Sequence, residues 1–493
     1  MIRYILKCSM IIMSMLTSLK TYAFVGEAMI DGIQYYIVTK GKTATVIGYE
    51  KARSGYELVD IVIPSTIEYD GVICNVVKIQ SRAFAYDGYK SSGHDGSFIK
   101  SVTIGSGIKE IGERAFENCY KLITVTFSNT DSLHIGKSAF KECLSLDAVH
   151  VSDIGNWLKI FFEDERSNPL RAPHDVGGTG KSELFLNGKV VKNLSIPYGV
   201  VSINPYAFEY CESLESITIP NTVTSIGTFA FSDCHNVEKI VLPPSLTSIA
   251  YCGVDFCASK SVHVYITDLV SFCNMWTQER FIHAPSLFLY LNGKEIKELI
   301  IPNNIQELRN VCFQNMDGIT KITIPNSVVS IEQGAFGYNH ELLSVVINCP
   351  NVGDYNFQYC GKLKSVTIGE NCETIGNNSM YHCPELTDVY CFAKTPPFCK
   401  SAVFHDCEIQ YATLHVPDQF IQMYQSTSPW NRFGNIIALT ESEMADVKDL
   451  KANQESTNST AFYSLDGQYH KDLQKGLNII RYSDGTTKKV LVK

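Results

Sequence analysis

The chain has 493 residues, enough for several domains and a sizeable core. Hydrophobic residues make up 45% and charged residues 19%, which excludes a disordered chain and a coiled coil. Lys+Arg 42 against Asp+Glu 51 leaves −9, which excludes a generally basic, nucleic-acid-seeking surface, and 17 cysteines are too thinly spread for a disulfide scaffold.

Residues 1–23 read as an export signal. Arg3 and Lys7 charge its start, Cys8 to Leu19 is apolar, and Thr21-Tyr22-Ala23 sets small residues at −3 and −1 of a cleavage site. The apolar stretch falls short of the roughly 20 residues that cross a bilayer. Export to the cell surface or the medium, with outer-membrane association as one form of it, is therefore expected. Residues 24–76 are strand-rich. Turns at Asp31-Gly32, Gly41 and Asp70-Gly71 separate alternating Tyr35, Val46, Ile61 and Ile63, as in a cap that covers the open end of a repeat array.

Over residues 77–391 one phrase keeps returning: Ile, Ala-Phe, Cys, Leu, Ile, Ile-Pro. It is plainest from Ile203 through Ala207-Phe208, Cys211, Leu214 and Ile217 to Ile219-Pro220. The aromatic column runs Phe84, Phe116, Phe140, Phe208, Phe231, Val254, Phe313, Phe336, Phe357 and Met380. Five positions earlier stand Ile79, Ile111, Ile135, Ile203, Ile226, Ile249, Leu308, Ile331, Val352 and Ile375. The first part of the unit suits a short helix or a tight turn, and Leu-x-x-Ile-x-Ile suits a short strand. One unit cannot bury its apolar side alone, so the units must stack. The predicted fold class is an α/β repeat solenoid with one parallel β-sheet face.

These residues resemble the leucine-rich repeats of the BspA-like surface proteins of Gram-negative anaerobes and some protozoa, over roughly residues 60–440. The resemblance implies a curved solenoid displayed at the cell surface, in some members engaged in adhesion to host proteins. Single repeats depart from the pattern. Gly253-Val254 replaces Ala-Phe, Met316 and Asn339 replace Cys, and Asn356 and Ser379 replace Ala.

Two long variant repeats, at 149–200 and 262–304, resemble each other. Leu186 to Pro197 and Leu291 to Pro302 are identical at eight of twelve positions, and Asn-Gly in each signals a hairpin. A short helix is expected near Trp157 and another near Phe272. Residues 392–440 close the array and 441–460 form a polar linker. Residues 461–493 make a small β tail, which is either a plain folded end or, as its likeness to C-terminal modules of exported proteins implies, a sorting or anchoring module.

Cys119, Cys143, Cys211, Cys234, Cys257, Cys360 and Cys383 occupy one column, predicted to be a ladder of buried thiols. No metal site is expected, because there is no CxxC and Cys252 to Cys257 has no histidine pair beside it. Gly177 to Ser182 imitates a phosphate loop, but Asp175 stands where its first glycine belongs. Glu163-Asp164-Glu165 reads as a solvated face. No catalytic motif and no cofactor site are found.

What remains is the sheet face. In each strand the residue between two buried aliphatics should point outward: Thr126, His150, Thr218, Val241, Thr323, Val346, Thr367 and Tyr390. The expected function is non-catalytic binding of a macromolecule by a monomer. By the family resemblance the partner is a host or matrix protein. The alternatives are glycan capture, and an enzyme or enzyme inhibitor built on the inserts. Nucleic acid is not an expected partner, and a membrane would be met only through an anchoring tail.

Overall fold

The computed structural model describes residues 24–49, 58–86, 98–128, 132–174, 182–277, 282–400 and 402–444, with backbone strands in 461–492. The export segment 1–23, Gly177 to Lys181 and most of the linker lie outside the described residues. The chain divides into two compact units, Met1–Val190 and Val191–Lys493.

The first unit opens with an antiparallel meander, Val25–Ile30, Ile33–Val38 and Thr43–Tyr49, which buries Tyr35, Ile37 and Val46. Thr43–Tyr49 then pairs in parallel with Val72–Ile79. From Val59–Ile63 onward the chain coils. A parallel ladder runs Val59–Ile63, Ile99–Ile104, Thr124–Phe127, Ala148–Val151 and Glu183–Leu186. A second ladder follows from Val72–Ile79 through the two-residue strands Glu110–Ile111, His134–Ile135 and Phe161–Phe162. The sequence pattern shows only the longer strands, because two residues cannot display an alternation.

Between the ladders lies the Ala-Phe phrase, and it is built of tight turns rather than helix. The reason is a competition for backbone donors. The Phe84 N–H bonds to the Ala115 carbonyl and the Phe116 N–H to the Ala139 carbonyl, each at 2.8 Å, so these donors point along the solenoid to the next coil. Arg114 and Asn118, at φ 54° and 63°, break the right-handed run an α-helix needs. This arrangement stacks Phe84, Phe116 and Phe140 nearly parallel, with centroids 5.0 and 5.1 Å apart. Full burial of each ring contributes about 1.5–3 kcal/mol.

The variant repeat adds a one-turn helix, Ile154–Trp157. Asp153 Oδ1 caps it by accepting from the Asn156 N–H at 2.7 Å. Trp157 is buried against Phe127 and Phe162. Glu183–Leu186 then turns back on Lys189–Val190 through Asn187 and Gly188, both at positive φ as a two-residue hairpin demands.

The second unit repeats this plan twice. Its first ladder runs Asn193–Ser195, Ser216–Thr218, Lys239–Val241, Val262–Ile266 and Leu287–Leu291, and closes on the antiparallel Lys294–Glu295. The helix Leu269–Asn274, capped by Asp268, takes the place of the earlier one. The next ladder runs from Glu298–Ile300 through Lys321–Ile324, Ser344–Ile347, Ser365–Ile368, Asp388–Cys391 and Thr413–Val416 to Asn435–Ala438. Its end is filled by buried Tyr424 and Trp430, whose indole N–H donates to the Pro397 carbonyl at 3.0 Å. Four antiparallel strands between Ala461 and Val492 form a separate small sheet. Among the described residues no helix is long and apolar enough to cross a membrane.

Candidate binding face

Parallel pairing in strict register lines the outward side chains into rows, one per ladder. In the first unit Thr126 stands beside His150, and His150 beside Phe185. The second row is Thr218, Val241, Tyr265 and Tyr290. The third is Ile300, Thr323, Val346, Thr367, Tyr390, His415 and Ile437. All eight residues picked from the sequence fall in these rows.

Two of them are buried, five are half-buried and Thr218 alone is exposed. Thr323 and Val346 keep only 6% and 7% of their surface. They stand next to each other in mid-row, whereas Ile300 and Ile437 at the ends keep 57% and 46%. Facing outward in the pleat is thus not the same as meeting solvent, and the expectation that these two form open contact surface is corrected.

Towards its C-terminal end each row reaches a pair of stacked rings. His150 lies 4.6 Å from Phe185, Tyr265 lies 4.5 Å from Tyr290, and Tyr390 lies 4.3 Å from His415, with interplanar angles of 25°, 16° and 26°. The middle pair is the most elaborate. Lys239 Nζ sits 4.7 Å over the Tyr265 ring, and a neighbouring outward pair, His263 and Phe288, stacks at 5.4 Å. His263 Nδ1 lies 3.0 Å from the Tyr290 hydroxyl.

These surroundings shift protonation. Burial holds His150 below its ordinary range. Burial, then the charges of Asp388 and Glu443, push the Tyr390 hydroxyl up, and burial with Glu295 does so for Tyr290. His415 lies between Asp388 and Glu443, at 3.3 Å from each carboxylate.

Sequence reasoning missed Phe185, His263, Tyr265, Phe288, Tyr290 and His415. The signal was present in Leu184-Phe-Leu186, Val264-Tyr-Ile266, Leu289-Tyr-Leu291 and Leu414-His-Val416, which alternate as the other strands do. It was hidden because these segments belong to the variant repeats and the end of the array.

None of the described cysteines is in a disulfide. Six of the seven column members are fully buried. Cys119, Cys143, Cys234, Cys360 and Cys383 donate to the carbonyls of Phe84, Phe116, Phe208, Phe336 and Phe357, at 3.1–3.6 Å. Each thiol thereby ties its coil to the previous one. Cys257 is the exception and is half-buried.

The inserts carry two shallow recesses. One lies beside Asp153 and Trp157 and the other beside Asp268 and Phe272, each with room of only ≈ 10 Å³. Both are smaller than the roughly 300–1,000 Å³ of small-molecule pockets. Their carboxylates are engaged, Asp153 and Asp268 in capping helices. The Glu163-Asp164 pair, read as a solvated face, instead binds the neighbouring coil. Glu163 accepts from the Lys137 N–H at 3.0 Å and Asp164 from the Ser138 N–H at 2.9 Å. Ser182, the described remnant of the phosphate-loop lookalike, is buried and leads into a strand.

The BspA type leucine rich repeat region model matches the chain in 6 copies, over residues 55–165, 180–269 and 288–422. The chain belongs to this family. Among solved structures, a leucine-rich repeat protein from Bacteroides ovatus covers 84% of this chain and all (100%) of its own, at 21% identity and a TM-score of 0.51. That likeness supports the fold. A leucine rich cell surface protein from Faecalibacterium prausnitzii is 20% identical over 85% of this chain and 96% of its own, with a TM-score of 0.38. The pneumococcal vaccine antigen PcpA is 18% identical over 85% of this chain and 100% of its own, with a TM-score of 0.36. No curated protein matches the sequence. In BspA-type terms, the interrupted stretches between the matched segments, 166–179 and 270–287, fall within the two variant repeats, and each follows the strand that begins a stacked ring pair.

Proposed function

We propose that this BspA-type protein is exported, is displayed at the cell surface and binds an extracellular protein without catalysis, through the outward rows of its ladders. The observation that carries this reading is the stacked ring pair in every row. Side chains stand roughly perpendicular to a sheet. Rings stacked along a row therefore spend their faces on one another and offer edges outward, except at His415, which is buried. A sugar ring needs a free aromatic face. A protein partner is served by such rigid amphipathic edges, and Tyr is enriched where binding energy concentrates. The small tail sheet serves sorting or anchoring in this reading.

The test passes the full chain over immobilised matrix proteins and a glycan panel, at low and physiological salt. Saturable binding to a protein is expected, weakened about tenfold or more by Tyr265→Ala or Tyr390→Ala. Binding confined to glycans would overturn the proposal, as would protein binding that His150→Ala, Tyr265→Ala and Tyr390→Ala all leave intact.

A further inference from the structure

One coil departs from the others by a single residue. Elsewhere the residue before the column cysteine is left-handed, as Asn118, Glu142, Tyr210 and Asp233 are, and the cysteine then points into the core. In the coil of Gly253-Val254 the left-handed residue is Cys257 itself, at φ 44°. Phe256 enters the core with no exposed surface, and the Cys257 thiol is turned out of the ladder.

The thiol has company outside. Cys257 Sγ lies 3.8 Å from Asp255 Oδ1. The ring of His283, which follows the insert, reaches the same spot. Ligand atoms of Asp255, Cys257 and His283 all lie within 4.8 Å of one another. The backbone holds the carboxylate in place, since Asp255 Oδ1 accepts from the N–H groups of His283 at 3.2 Å and Cys257 at 3.4 Å. Asp233, one coil earlier, joins burial and Asp255 in pushing the Cys257 thiol up, and Ser232 Oγ donates to Asp233 Oδ2 at 2.8 Å.

We propose that Asp255, Cys257 and His283 bind a divalent transition metal ion of the zinc type. A thiolate, an imidazole and a carboxylate together suit this borderline-soft class, whereas calcium and magnesium take oxygen ligands. Zinc bonds of about 2.0–2.3 Å place tetrahedral ligand atoms roughly 3.3–3.8 Å apart, a modest contraction of the present cluster. Asp233 offers the fourth ligand or orients a metal-bound water. On binding, the Cys257 thiol releases its proton to solvent and the sulfur takes the metal, whose two positive charges offset those of the thiolate and Asp255, leaving the charge of Asp233 over. The ion would clip the return of the second insert to the coil it left, closing the long loop between Cys257 and His283. Sequence spacing could not show this, because the histidine comes from the far side of the insert.

The test titrates Co²⁺ into the reduced, metal-free full chain. One equivalent should give a thiolate-to-cobalt absorption that Zn²⁺ bleaches, that Cys257→Ser abolishes and that His283→Gln weakens, with circular dichroism unchanged. A second readout guards against a variant that misfolds. Iodoacetamide labelling of Cys257 in the native chain should slow about tenfold at Zn²⁺ ten times above its Kd. Labelling of the partly exposed Cys252 and Cys399 should not change. Absence of the thiolate band, its persistence in Cys257→Ser, or labelling of Cys257 indifferent to Zn²⁺ would overturn the assignment.

Discussion

Asn339 Nδ2 donates to the Phe313 carbonyl at 3.1 Å, which is the bond a column cysteine makes to the aromatic residue of the preceding coil. The replacement of Cys by Asn therefore keeps the tie between coils. Asn339 adds two further bonds, to the Phe336 carbonyl at 2.8 Å and from the Met316 N–H at 2.6 Å. It is wholly buried. Asn339→Ala should destabilise the fold by about 1–3 kcal/mol, since three buried backbone groups lose a partner. Asn339→Cys should cost less, because it restores the bond to Phe313. Chemical denaturation of the three proteins checks the order, and equal midpoints for the Ala and Cys variants would refute it.

The solenoid was legible because its columns are long: ten positions each, Ile at eight of one and Phe at eight of the other, with thiols between, admit one stacked arrangement. The second ladder was not, since its strands are two residues long and its only trace is the Ile that precedes the phrase. The face was legible in part. Alternation named Thr126 to Tyr390, but exposure depends on what stands beside a residue in the row, and strand order across an insert decides that. Val346 and Tyr265 look alike in their own strands, yet one is buried and the other joins a ring pair.

The thiol ladder sets an alkaline limit. Burial pushes Cys360 of the ladder from an ordinary 9.0 up to about 12, and Cys349 outside the ladder likewise. In the unfolded chain these thiols ionise near 9.0. Between about pH 9 and 12 the unfolded state has lost protons that the folded state keeps, so stability falls as pH rises, by about 1.4 kcal/mol per unit for each such thiol. Below pH 9 the contribution is complete. Denaturation midpoints measured from pH 7 to 11 should drop above 9, and Cys360→Ala should make the drop shallower. An identical slope in the variant would sink the argument.

His150 shifts the other way. Burial beside Phe185 favours its neutral form, so its folded pKa lies below the ordinary 6.5. Its contribution is present above 6.5 and is lost as pH falls through the folded value, because the unfolded state takes up a proton first. Titration of the His150 ring by NMR should show a midpoint under 6.5, moving upward in Phe185→Ala as the ring is opened to water. A midpoint at or above 6.5 in the parent chain would contradict this.

Coil spacing depends on a glycine column. A Cβ on Gly376 would stand 2.3 Å from the Gly353 carbonyl carbon, whereas one on Gly361 would meet nothing within 4 Å. The first clash is with backbone and cannot be relieved by a side-chain rotation. Gly376→Ala should cost about 1–3 kcal/mol or more, and Gly361→Ala should be close to neutral. Thermal melts of the two variants make the comparison, and similar Tm values would show that the coils can spread at little cost.

Ser379 fills the alanine position of its coil and is fully buried, with a hydroxyl that has no hydrogen-bond partner. The backbone carries the tie between coils here without its help, since the Phe357 N–H bonds to the Ser379 carbonyl at 2.6 Å. Burying an unpaired hydroxyl costs about 1–3 kcal/mol, and alanine removes that cost with only a small loss of volume. Ser379→Ala should therefore raise Tm, in contrast to Asn356→Ala at the equivalent position of the preceding coil. There the side-chain oxygen accepts from the Ala335 N–H at 3.0 Å, and truncation leaves that donor without its partner. If Ser379→Ala lowers Tm, the hydroxyl is held by a buried water, and the alanine column tolerates polar residues by hydrating them.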